Sequence, residues 1–114
     1  EADAVSALIG LRVLAFAGIG NPDKFFSTLT EAGISVPVTE SFHDHHRYTR
    51  AEAEGLVERA ARENLALVTT EKDLVRIARD PEVAALAKVA RALPVTLRLQ
   101  DEDILRQLLQ AKTG

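Results

Sequence analysis

The 114 residues include no cysteine, no methionine and no tryptophan, and aromatic side chains make up only 4% of the chain. Without cysteine there is no disulfide, no thiol nucleophile and no thiolate metal site, a composition compatible with the cytosol. With so few aromatics, alanine, leucine and valine must supply the packing volume, which suits closely packed helices. Cations are not in surplus either: 14 Lys+Arg stand against 17 Asp+Glu, a formal net charge of -3. Nucleic acid is therefore not an expected partner, because neutralising its phosphates needs a basic excess. No run approaches the ~18 apolar residues of a membrane-spanning helix, and no basic stretch leads into an apolar one as in a secretory signal, so the chain reads as soluble. It begins with glutamate, in keeping with residues upstream. The length suits one domain, burying roughly 65% of the surface that its unfolded chain exposes.

The groups able to move a proton near neutral pH are gathered in one place. All three histidines and the single tyrosine fall in Ser41-Phe42-His43-Asp44-His45-His46-Arg47-Tyr48, beside an aspartate and an arginine. Around this stretch the pattern alternates between strand and helix. Val13 to Ala17 is an uninterrupted apolar run ending at Gly18-Ile19-Gly20-Asn21-Pro22, as expected of a central strand covered on both faces. Asn21 can cap the next helix and Pro22 suits its first position, with Phe25, Phe26, Leu29 and Ala32 inward and Gly33 ending it. Pro37 marks residues 36–42 as an edge strand. Thr49 and Glu52 form a T-x-x-E capping box for a helix buried through Ala53, Leu56, Val57, Ala60 and Ala61.

Leu65 to Val68 is a second all-apolar strand, and it runs into Thr69-Thr70-Glu71-Lys72-Asp73. There Thr70 and Asp73 repeat the capping logic for a helix through Leu74, Val75 and Ala78. Asp80-Pro81 breaks that helix ahead of Val83, Leu86 and Ala87. The alternating residues 95–99 suggest the other edge strand, and Asp101 caps a last helix. The expected fold is α/β: a small, doubly wound, mainly parallel sheet of about four strands in the order 2-1-3-4, with helices on both faces. Residues 1–10 read as the tail of a preceding segment, 11–110 as the domain, and 111–114 as a frayed end. In such a sheet ligands bind at the carboxyl ends of the strands, where the strand order reverses. The glycine turn, the Thr-Thr-Glu-Lys-Asp turn and the histidine loop all fall on that rim.

Each of the three stretches admits a chemical and a plainer reading. Gly18, Gly20 and Asn21 can present amides to an anion at a helix start, or simply make a tight turn; the third glycine of G-x-G-x-x-G is absent. Lys72 and Thr70 can hold a phosphate with Asp73 steering the lysine, or the segment can be a helix cap with a solvated ion pair. His43, Asp44, His45 and His46 can donate to a metal, but no second cluster on the rim completes a ligand set beyond Asp73 and Glu71. Proton transfer needs only one imidazole oriented by one carboxylate. A solvated polar turn is the third possibility.

Taken in order, the Val13-to-Pro22 segment followed by Phe25-Phe26, then Phe42-x-Asp44-His45-His46-x-Tyr48-Thr49, then Thr69-Thr70-Glu71-Lys72-Asp73, closely resemble the C-terminal half of the tetraacyldisaccharide 4'-kinases. The likeness runs from about Leu11 to about Leu109. It implies an enzyme of lipid A biosynthesis that transfers the γ-phosphate of ATP to the 4'-hydroxyl of a tetraacylated glucosamine disaccharide 1-phosphate. It further implies a preceding N-terminal domain with the P-loop, the carboxylates for Mg2+ and the membrane-associating segment, the whole working at the cytoplasmic side of the bacterial inner membrane. The Asp44-His45 pair matches the family's Asp-His motif, so the resemblance implies that His45 helps deprotonate the sugar hydroxyl, supported by Asp44 and His46. No metal site belongs to this part, and alone it is expected to be inactive. His43 departs from the family, which usually has proline there. Two rival readings are a metal-dependent phosphoesterase built on His43, Asp44, His45 and Asp73, and a non-catalytic phosphate-binding module using Gly20, Thr70 and Lys72.

Overall fold

The computed structural model describes residues 7–93. Four parallel strands, β1 (Arg12–Ala17), β2 (Ser35–Ser41), β3 (Ala66–Thr70) and β4 (Arg91–Leu93), form one sheet in the order β2-β1-β3-β4. The helices between them are α1 (Pro22–Glu31), α2 (Arg50–Glu63), α3 (Glu71–Ala78) and α4 (Ala84–Val89). The doubly wound order expected from the apolar and proline-bearing strands is the order found.

Alternation along β1 divides the core in two. Val13, Ala15 and Ala17 face one side, where Phe25, Phe26 and Leu29 of α1 cover them. Leu14 and Phe16 face the other, against Leu56 and Ala60 of α2 and Ile77, Val83 and Leu86 beyond β3. Successive residues of a strand point to opposite faces, so a strand buried on both must be apolar throughout. Burying a side chain such as Phe16 fully contributes about 1.5–3 kcal/mol.

β2 is the edge strand that Pro37 requires, and its pairing carries an irregularity at the proline. Arg12 pairs with Ser35 but Leu14 with Val38, so β2 holds an extra residue there. One extra residue reverses the facing of the rest of the strand. Accordingly Val36 packs on the α1 side of the sheet and Val38 on the α2 side. The sequence places Pro37 at an edge without revealing this bulge.

The local punctuation is as expected at three helix starts. Asn21 Oδ1 accepts the Lys24 amide at 3.3 Å ahead of Pro22. Thr49 and Glu52 close a complete capping box, and Thr70 accepts the Asp73 amide at 3.1 Å. Two burial expectations change. Ala61 is exposed, and α3 buries Asp73 and Ile77 rather than Val75 and Ala78, because its apolar stripe is shifted toward β3. Residues 95–99 and the final helix lie outside the described residues, and the place beside β3 is taken by Arg91–Leu93, with Val68 paired to Arg91. From β1 the chain turns toward β2 through α1, and from β3 it turns the other way through α3, which opens a gap at the carboxyl ends of β1 and β3.

Candidate functional site

The three rim loops meet on Asp73. Its carboxylate, fully buried at the start of α3, receives the Gly18 amide at 3.1 and 3.2 Å to its two oxygens. The Tyr48 hydroxyl donates to Oδ1 at 3.0 Å, and the Thr70 hydroxyl donates to Oδ2. Arg76, one turn further along α3, reaches Oδ1 at 3.3 Å. A buried anion with one cation and three neutral donors meets the condition under which such a charge is tolerated. Burial, reinforced by the adjacent Asp73 charge, pushes the Tyr48 phenol far above its ordinary range, so it remains a donor.

The Gly18 peptide is held from both sides. Its carbonyl oxygen accepts from Arg76 at 3.1 Å and from the His45 amide at 3.1 Å. A Cβ on Gly18 would stand 3.0 Å from the His43 carbonyl oxygen and 3.2 Å from both Asp73 Oδ1 and His46 Cβ. The close neighbour that requires glycine here is the protein's own histidine loop.

That loop makes a tight turn, with the His46 amide donating to the His43 carbonyl at 2.9 Å and His45 in the left-handed region at φ 62°. The turn separates the two adjacent imidazoles. The His45 side chain is 85% exposed, with Nε2 3.8 Å from Asp44 Oδ2, an electrostatic contact longer than a hydrogen bond. The His46 side chain is 22% exposed, stacked on Phe42 with centroids 4.8 Å apart, and its Nε2 lies 2.8 Å from Glu52 Oε1. Burial opposes ionisation of Glu52, but the Thr49 amide and His46 outweigh it and hold this carboxyl below its ordinary value. His43 is exposed and contributes its backbone oxygen to the turn.

Beside the loop lies a cleft of about 880 Å³. Its walls are Ile19, Gly20, Asn21, Lys24, Phe25 and Thr28 on one side, Glu71, Lys72, Val75 and Arg76 on the other, with Asp44 and His45 at the rim. Among the described residues neither Lys24 nor Lys72 pairs with a carboxylate. Of the site residues named from the sequence, Gly20, Asn21, Asp44, His45 and Lys72 thus share one cleft. Gly18, His46, Thr70 and Asp73 form the layer behind it.

The sequence reading missed Lys24 and Arg76. The first is one helical turn past the Asn21 cap, and the second is three residues after Asp73, the spacing at which opposite charges on a helix meet. Among the described residues, no three His, Asp or Glu side chains form a group able to hold a metal. The alternative ligand set fails at Asp73, whose oxygens are already taken inside the protein. Thr70, the hydroxyl invoked for a phosphate-binding module, is likewise buried against Asp73.

The fold and rim define a class: a doubly wound α/β domain with a switch-point cleft lined by Lys24, Lys72 and an exposed His45. The chain belongs to the family described as Tetraacyldisaccharide-1-P 4'-kinase, whose profile matches residues 1–113. It is 46% identical over 112 residues to a protein of Afipia carboxidovorans named tetraacyldisaccharide 4'-kinase, covering 98% of this chain and 33% of that protein. Proteins of the same name from Rhodopseudomonas palustris strains BisA53 and HaA2 are 48% and 50% identical, over 96% of this chain and 32% of theirs. The chain therefore spans about a third of the length of these relatives. No solved structure matches it.

Proposed function

We propose that residues 11–110 are the C-terminal domain of an ATP-dependent kinase that phosphorylates the 4'-hydroxyl of tetraacyldisaccharide 1-phosphate in lipid A biosynthesis, and that this domain supplies the proton acceptor. The observation that carries the reading is the position of His45 and Asp44 at the rim of a cleft walled by Lys24 and Lys72. An imidazole with one carboxylate beside it suits a general base, since the carboxylate can orient the ring toward the hydroxyl whose proton is taken. The 3.8 Å between them shortens readily in an exposed turn when a substrate closes on it. Lys24 and Lys72 are placed to balance the charge of a phosphate group, as phosphoryl transfer rests chiefly on positioning and electrostatics.

ATP with Mg2+ supplies the phosphoryl group and is held mainly by a preceding P-loop domain, which also makes the membrane contact. On this reading the domain alone is inactive. The whole acts on the lipid A precursor at the cytoplasmic side of the bacterial inner membrane. Among the described residues no helix is long and apolar enough to cross a membrane.

Replacing His45 by alanine in the intact protein tests the assignment. Turnover is expected to fall by about 10²–10⁴-fold. Unchanged turnover of disaccharide 1-phosphate would remove His45 from the reaction.

A further inference from the structure

Asp73 has no access to the cleft, yet it is the most heavily bonded side chain of the rim. Its carboxylate takes the Gly18 amide, and the carbonyl of the same residue takes the amide of His45. Asp73 and His45 are thus joined through a single glycine, with no side chain between them. His45 is a β-carbon-bearing residue in the left-handed region, a conformation that persists only where its surroundings fix it. The surroundings that do so are the Gly18 carbonyl, the His46-to-His43 turn and the close approach of the loop to the Gly18 α-carbon. Arg76 and Tyr48 reinforce the same point, each holding Asp73 Oδ1 and the first also holding the Gly18 oxygen.

We propose that buried Asp73, acting through the Gly18 peptide, is the positioning residue that sets the location of the His45 imidazole over the cleft. This rests on the reading of His45 as the proton acceptor, and it assigns Asp73 a task other than ligand contact. An exposed imidazole on an eight-residue loop would otherwise sample many positions. A displacement of about 1 Å at a reacting group can cost about 10²-fold in rate.

Two variants of the intact protein test it: Asp73→Asn, which keeps the shape and removes the charge, and Gly18→Ala, which presses a methyl group against both the loop and Asp73 Oδ1. Each is measured for kcat and KM alone and combined with His45→Ala, and its histidine ring NMR signals are recorded, the His45 signal being the one that His45→Ala removes. The expected result is kcat lower by on the order of 10²-fold with KM for ATP little changed. The double variants should be no slower than His45→Ala alone, and the His45 ring signal should shift or broaden in Gly18→Ala.

Effects that add to those of His45→Ala would mean that Asp73 and Gly18 act elsewhere, and would overturn the proposal. A His45 signal unmoved in folded Gly18→Ala would overturn it too. If Asp73→Asn does not fold, Tyr48→Phe, which removes one donor from the same carboxylate, is read in its place, and a His45 signal unmoved in that variant would overturn the proposal. Should His45→Ala leave turnover unchanged, the base assignment falls, while the His45 signal in Gly18→Ala still decides whether the linkage positions the ring.

Discussion

Thr49-x-x-Glu52 and Thr70-x-x-Asp73 begin two helices with the same local device, and the fold uses them in opposite ways. In the first, Glu52 reaches back to the Thr49 amide at 2.9 Å, and the box closes on itself near the surface. In the second, the threonine still accepts the amide three residues on, but the Asp73 carboxylate reaches across the sheet's switch point to Gly18. Glutamate has the extra methylene needed to fold back on its own cap. The shorter aspartate, at a helix start pressed against the β1 turn, finds a foreign amide nearer. A cap that closes locally stabilises one helix. A cap that opens outward ties three loops together, so damage to it should spread.

That contrast can be broken most forcefully at Asp73. Asp73→Ala strips the acceptor from Gly18, Tyr48, Thr70 and Arg76 inside the protein, and is expected to cost about 3–5 kcal/mol, read as a fall in the urea midpoint. Loss of the Thr70 cap alone would cost about 1 kcal/mol, so a smaller drop would mean that the Asp73 carboxylate does not tie the three loops together.

Tyr48→Phe is the next test, removing one donor to the buried carboxylate at a cost of about 1.5–3 kcal/mol. It also has a pH signature. Because folding raises the Tyr48 pKa, the unfolded chain ionises first, and stability present below about pH 10 is lost as pH rises beyond it. Unfolding midpoints of the phenylalanine variant should lack that part of the alkaline decline. Equal declines in both proteins would contradict the direction of the shift.

The smallest effect is expected from Glu52→Gln, about 1 kcal/mol near neutral pH, confined to the start of α2 and the His46 ring. Here the folded pKa is lowered, so the contribution is complete above the unfolded value of about 4.3 and disappears as pH falls through the folded one. Acid titration of the two proteins should therefore converge at low pH. A variant whose deficit persists unchanged at low pH would show that Glu52 acts through shape rather than charge.

Much of this molecule is legible one segment at a time. The apolar run from Val13 to Ala17 marks a strand buried on two faces, Pro37 marks an edge, and Asn21, Thr49 and Thr70 mark three helix starts, because each signal depends on atoms a few residues apart. The gathering of the histidines with the glycine and threonine turns on one rim follows from strand order, which those signals also imply. The features that stayed hidden involve partners far along the chain. Nothing near Pro37 announces the bulge that turns Val36 and Val38 to opposite faces. The described fourth strand, Arg91–Leu93, is too short to show a pattern and is recognisable only by its pairing with β3.

The amino-acid sequence by itself determined the doubly wound order and the gathering of all three histidines in one stretch on the rim. Only the tertiary structure decided which of two adjacent histidines faces the cleft and which is locked against Phe42 and Glu52, and that Asp73 lies beneath the site rather than in it. The reason is physical. Helix caps and strand alternation are satisfied within a few residues, whereas the fate of a carboxylate or an imidazole depends on which distant amide, ring or cation the packed sheet brings within about 3 Å of it.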